Sequence, residues 1–384
     1  MASNLLRKLS LMGDAAPQKP KTSPVRPKIF DWSCPAEEGL DKLSGDALYM
    51  MGYRGKRFDI NRAAFIDTET TGLSGGAGTV AFLVGVGFVR DGRFWVRQYL
   101  MPDYGAEAEM LDEIEKLLSS FDTAVHFNGR RFDMPLLAER CVMKRRDDFT
   151  GRLDQLDLLY PARSVWKLRL GSCRLSCLET QILGMPERED IPGSEIPSRY
   201  FEAVKKGDMS LLDEVIRHNR QDIATMQVLL KRLNDIYAEP EEVFWQQDIF
   251  SLGKVFERQG EYRMAKKLYL KASQPRAVLS AQDLRHEKYA GEANLRLYLI
   301  ERRSGAYDKC ELTLKNMIKR RQMEAQALLE LCKLYEHRMQ RYGDALEICE
   351  RLIALTDETG MQPLIKRKNR LLAKLQKHGG YCHV

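Results

Sequence analysis

Apolar and polar positions recur with two different periods along this chain, and beyond residue 240 only the helical one remains. From Ala63 the sequence reads AAFID, a short apolar run that ends on Asp67. TVAFLVGVGFV follows at residues 79–89, rich in β-branched and aromatic residues. Arg90-Asp91-Gly92 is a turn signal, and RFWVRQYLM then alternates as a half-buried strand does. Residues 106–120 place Met110, Leu111, Ile114, Leu117 and Leu118 at helical spacing. DTAVHFNG reads as a strand, RFDMPLLAERCVMKR as a helix, RLDQLDLL as a last strand, and residues 208–235 as a long closing helix. Three antiparallel strands followed by helix, strand, helix and strand predict an α/β domain on a mixed five-stranded sheet with flanking helices, over residues 63–238.

Two segments precede that domain. Residues 1–30, with Pro, Lys and Ala enriched in GDAAPQKPKTSPVRPKI, read as a flexible basic arm. Residues 31–62 read as a short helical lead-in without recognisable chemistry.

From Glu241 every periodic segment is helical. SLGKVFERQGEYRMAKKLYLKA fits the tetratricopeptide pattern: Leu252-Gly253 as the Leu-Gly pair, Phe256 in the aromatic slot, and Ala265, Tyr269 and Ala272 in the small, aromatic and small slots. AGEANLRLYLIERRSGAYDKCELTLKNMI and EAQALLELCKLYEHRMQRYGDALEICERLI are weaker copies, with Cys310 and Ala345 in the slot of Ala265. The expected organisation is therefore an all-α tetratricopeptide-like repeat domain over 241–375, closed by the basic amphipathic helix LIKRKNRLLAKLQKH.

Composition narrows the class. Hydrophobic residues make up 44% and charged residues 30%, which fits globular domains and excludes an extensively disordered chain. Lys+Arg 61 against Asp+Glu 54 leaves +7, a sign that favours a polyanionic partner. No apolar run approaches the ~20 residues of a spanning helix, so no membrane partner is expected. The eight cysteines lie at irregular spacings without a zinc pattern, as in a reduced, cytoplasmic protein that uses cysteine as a small core residue.

Three separated segments carry acids at informative spacing. In FIDTETTGL, Asp67 and Glu69 are alternate residues of a strand end and share one face. Two carboxylates so placed repel, and a hard divalent cation between them removes the penalty. In HFNGRRFDMPLL, Asn128 and Asp133 sit where a strand runs into a helix, with Phe132 and Leu136 expected to face the core. In IRHNRQDIATMQVLL, His218 and Asp222 lie four apart on one helix face.

Taken together and in this order, these segments resemble the DEDD superfamily of 3′→5′ exonucleases, over about residues 63–234. The resemblance implies an RNase H-like fold, Asp67, Glu69, Asp133 and Asp222 as ligands of two Mg²⁺ or Mn²⁺ ions, and His218 as the proton acceptor. It further implies that Thr70, Thr71 and Gly72 cradle the terminal nucleotide and that Leu73 wedges against its base, with Asn128 beside them. Three residues separate His218 from Asp222, the spacing of the superfamily's tyrosine branch. LDLLYPARSVWKLRLGSCRLSCLETQILGMPEREDIPGSEIP, with Tyr200-Phe201 and the HNRQDI segment, is similar to bacterial RNase H-like proteins of the YprB type, which are followed by tetratricopeptide repeats.

The implied activity is metal-dependent 3′→5′ exonucleolysis of DNA or RNA, most readily at single-stranded 3′ ends, with a protein partner on the repeats. A non-catalytic nucleic-acid-binding adaptor and an RNase H-type endonuclease are the competing readings. Arg130, Arg131, Arg163, Lys167, Arg169 and Arg174 are candidates for a phosphate groove. Asp154 and Asp157 are expected to be structural, and Trp166 a core residue rather than a base-stacking one.

Overall fold

The β-branched and aromatic runs do form strands. The computed structural model describes residues 25–72, 78–274 and 284–379. The strands are β1 (Lys28–Pro35), β2 (Ala63–Thr70), β3 (Ala81–Arg90), β4 (Arg93–Leu100), β5 (Thr123–His126) and β6 (Asp154–Asp157). They make one sheet of order β1-β4-β3-β2-β5-β6, antiparallel from β1 to β2 and parallel between β2 and β5. Asp91 and Gly92, both at positive φ, form the two-residue turn of the β3–β4 hairpin.

The sheet has six strands, not the expected five. The additional one, β1, lies in the segment read as arm and lead-in. Its side chains are mostly exposed, so no buried-face alternation marks it in the sequence. It exists because β4 offers an unpaired edge, and the Asp31 carboxylate accepts from Arg97 directly opposite, at 2.7 and 2.8 Å. The helical part of the lead-in consists of α1 (Gly45–Met51) and the 3-10 turns Leu40–Lys42 and Ile60–Arg62.

Helices α2 (Glu107–Leu118), α3 (Asp133–Met143), α4 (Leu159–Leu170), α5 (Leu175–Gln181), α6 (Ile196–Lys206) and α7 (Asp213–Ala238) follow. β3 is buried over Ala81–Phe88, between faces that α2, α3, α6 and the start of α7 help to cover. After α7 the chain is entirely helical among the described residues: α8 (Gln246–Arg258), α9 (Tyr262–Ser273), α10 (Leu284–Arg303), α11 (Tyr307–Lys319), α12 (Glu324–Leu334), α13 (Tyr342–Ala354) and α14 (Glu358–Gly379). Each of these packs on the next. Ala265, Cys310 and Ala345, aligned in the sequence, are each the fourth residue of α9, α11 and α13 and are fully buried. The basic helix α14 binds the buried Glu336 carboxylate through Arg367, Arg370 and Lys374.

The chain separates into two compact units. Of the described residues, one comprises 25–38, 55–72, 78–156 and 188–227, the other 39–54, 157–187, 228–274 and 284–379. The division falls within α7, and each unit joins segments distant in sequence.

Candidate active site

The carboxylates of the three acidic segments gather around the end of β2 in the sheet-bearing unit. β2 is buried over Ala63–Ile66 and half-buried from Asp67 to Thr70. Asp67 pairs with Gly85 and Glu69 with Leu83 on β3, and the register shifts between Glu69 and Thr70. α7 crosses β3 here at very short range. A Cβ on Gly85 would lie 2.2 Å from Ile223 and 2.3 Å from the Asn219 amide oxygen. Only glycine at this position lets the helix sit so low on the sheet, and that height brings His218, Asn219 and Asp222 to the β2 acids.

Asp67 is held by a buried amide relay. Gln98 on β4 donates to the Asn219 amide oxygen at 2.8 Å, and Asn219 donates to Asp67 Oδ2 at 2.7 Å. Burial pushes the Asp67 carboxyl well above the usual carboxylate range, and the charges of Asp133, Glu69 and Asp222 push it further, while the Asn219 bond pulls it back. Glu69 is pushed up to about 8 by burial, with Asp222, Asp133 and Asp190 adding to the rise and His218 opposing it. Asp133 opens α3 and accepts from the Thr68 hydroxyl. Its pKa is also raised by burial, against the lowering pull of Thr68 and of His126.

His218 stands among these acids. Its Nε2 is 3.7 Å from both Glu69 and Asp222, and its Nδ1 is 2.7 and 2.8 Å from the two oxygens of Asp190. The contact of Nδ1 with Asp190 orients the ring and turns Nε2 toward Glu69 and Asp222. Burial draws the His218 pKa down, but Asp222, Glu69 and Asp190 outweigh it and the net shift is upward. Asp222 also accepts from the Arg188 guanidinium, whose Nε lies 3.4 Å from Asp190.

The other expected contacts lie near. Thr70 donates its hydroxyl to the Gly72 carbonyl at 2.7 Å, while Thr71 exchanges bonds with Val80 at 2.9 and 3.0 Å and closes the end of the β2–β3 pair. Leu73 lies outside the described residues. Asn128 adopts a left-handed conformation at φ 69 in the turn between β5 and α3. Phe132 does not face the core: it is 55% exposed beside Asp133, because the chain turns outward as the helix begins, whereas Leu136 packs against the core.

The remaining candidates separate clearly. Asp157 accepts from the Leu159 backbone N–H at the start of α4, Asp154 is exposed, and Trp166 is fully buried. Arg169 pairs with Asp248 at 2.8 Å. Arg188, Asp190, Asn219 and Gln98 are the neighbours that the sequence did not single out. Asn219 lies in the HNRQDI segment and Arg188 and Asp190 in the charged stretch EREDIPG, but no periodicity aims that stretch at the acids.

The donor set suits a hard divalent cation: four carboxylates from three elements, three of them with pKa values raised by burial and two of these, Asp67 and Glu69, raised further by neighbouring acids. As arranged, with Arg188 on Asp222 and Asn219 on Asp67, no three His, Cys, Asp or Glu groups among the described residues close into an ion-holding cluster. No helix among them is long and apolar enough to cross a membrane.

Residues 64–234 match the family model described as the RNase_H superfamily. The chain is also similar to the uncharacterized protein YprB of Bacillus subtilis (strain 168), 28% identical over 307 residues that cover 78% of this chain and 71% of the relative. With its mixed sheet and flanking helices, the segment 64–234 has an RNase H-like fold.

Proposed function

We propose that this protein is a divalent-metal-dependent 3′→5′ exonuclease acting on single-stranded 3′ ends of DNA or RNA. The observation that carries the reading is the Asp190–His218 pair, whose Nε2 faces Glu69 and Asp222 within a set of four carboxylates. An acid–imidazole pair aimed at a carboxylate cluster has the elements of hydrolysis: a proton acceptor and an anionic seat for hard cations. Asp67, Glu69, Asp133 and Asp222 would hold two Mg²⁺ or Mn²⁺ ions. Bound there, the ions supply neutralisation of phosphodiester charge and acidification of the attacking water.

The chain's own residues do the rest. His218 Nε2 takes the proton of the attacking water, and Asp190 stabilises the resulting imidazolium through Nδ1–H. The Gln98–Asn219 relay keeps the Asp67 carboxylate in one orientation. Thr70, Thr71 and Gly72 border the terminal nucleotide together with Leu73 and Asn128, and the exposed Phe132 ring offers a face on which a base stacks. The helices after α7 form tetratricopeptide-like repeats that dock a protein partner. That reading is supported by the shared buried slot of Ala265, Cys310 and Ala345.

The test uses purified protein, Mn²⁺ or Mg²⁺, and 5′-labelled single- and double-stranded DNA and RNA. A ladder shortening from the 3′ end, abolished by EDTA and by Asp67→Asn, is the expected result. Cutting of a circular substrate points instead to an endonuclease. Binding without any cleavage points to an adaptor.

A further inference from the structure

The helical unit contains a cavity of about 830 Å³ whose wall is strongly cationic. α4 contributes Arg163 and Lys167, α8 contributes Lys254 and Arg258, and α10 contributes Arg296 and Arg303. Residues four apart share a helix face and lie ~6 Å apart along the axis, so each of the first two helices presents an axial pair of cations. One acid, Glu257, lies in this wall. It accepts from the Tyr269 hydroxyl at 2.7 Å and lies 3.8 Å from Arg296. Arg163, Lys254, Arg258 and Arg303 have no carboxylate salt-bridge partner among the described residues. Burial, with repulsion from Arg296 and Arg258, draws the Lys254 pKa down although Glu292 opposes it. Uncompensated like charges gathered at one concavity are costly unless an anion visits it.

We propose that this cavity is a second nucleic-acid site, holding successive phosphates of a single strand. The identity of the polyanion rests on the nuclease reading above. Six cations against one acid over-neutralise a single phosphate group but match a run of them. Arg163, Lys167, Arg258, Arg296 and Arg303 are exposed, so the cavity is open for a strand to pass along it. Tyr160, 40% exposed on the same wall, adds the aromatic platform that accompanies cations where single strands are bound without sequence preference.

Fluorescence anisotropy with a 5′-fluorescein (dT)₂₀ oligonucleotide and the full chain in EDTA, where cleavage is suppressed, tests this directly. The double variant Arg163→Glu, Arg303→Glu is expected to bind at least tenfold more weakly, with a salt slope shallower by about 1.4 or more, the share of two lost phosphate contacts on a single strand. The charge-conserving pair Arg163→Lys, Arg303→Lys is expected to retain most of the affinity, which separates charge from folding. Unchanged affinity and slope in the charge-reversed protein overturn the proposal. So does competition by inorganic triphosphate as effective as that by unlabelled (dT)₂₀, since the cavity would then take a compact anion. A wild-type protein that binds in this way but never cleaves overturns the nuclease reading and leaves this one standing.

Discussion

Arg188 donates to the Asp222 carboxylate, and its Nε lies 3.4 Å from Asp190. A guanidinium thus stands where charge compensation for Asp222 is needed, at a side chain proposed to bind a cation. Arg188→Met is expected to tighten Mn²⁺ binding about tenfold, because the ion no longer competes with an internal positive charge. Calorimetric titration without nucleic acid measures this. Unaltered or weaker binding would show that the ion and the guanidinium do not compete.

His218 gives a prediction of definite sign. Burial lowers its pKa, but Asp222, Glu69 and Asp190 raise it more, so without metal its ring is expected to titrate above the usual 6.5 in NMR. Asp190→Asn should move the titration down, and saturating Mg²⁺ should do the same. In activity profiles, the rate should rise as the ring loses its proton and then level. His218→Ala should lose about 10²–10⁴-fold together with that acidic limb. Survival of the limb in His218→Ala would remove the proton-acceptor role.

The acids also link stability to pH. Folded Glu69 titrates at about 8 against 4.5 for the ordinary side chain, with Asp67 and Asp133 shifted in the same direction. The folded state therefore holds protons that the unfolded chain releases, and this contribution, complete below about pH 4.5, is lost as pH rises through about 8. In EDTA, the melting temperature should fall between pH 5.5 and 8.5, Glu69→Gln should flatten the fall, and Mn²⁺ should reverse it. A melting temperature independent of pH in EDTA would contradict the electrostatics described.

Gly85→Ala tests how the site is positioned. The new methyl would lie 2.2 Å from Ile223 and 2.3 Å from Asn219, so α7 must lift from β3. An overpacking cost of ~1–3 kcal/mol is expected in urea denaturation. Activity should fall by far more than the change in folded fraction explains, because Asn219, His218 and Asp222 move together away from the β2 acids. Full activity in a stably folded variant would show that the site tolerates a raised helix.

By itself the sequence determined the parts whose geometry is local. Period two at FIDTE put Asp67 and Glu69 on one face of a strand, and a four-residue step on a helix put His218 and Asp222 together. Both follow from backbone repeat alone. The buried slot shared by Ala265, Cys310 and Ala345 was legible for the same reason. Tertiary structure decided what depends on distant partners. β1 is a strand because β4 leaves an edge open, and its exposed side chains carry no pattern that announces it. Asp190 and Arg188 meet His218 and Asp222 through an irregular segment without a period, and Asn219 reaches Asp67 only because glycines on β3 admit the helix. The cationic cavity belongs to the same class: it joins α4, α8 and α10, and no spacing along a chain encodes which charges three separate helices will bring to one wall.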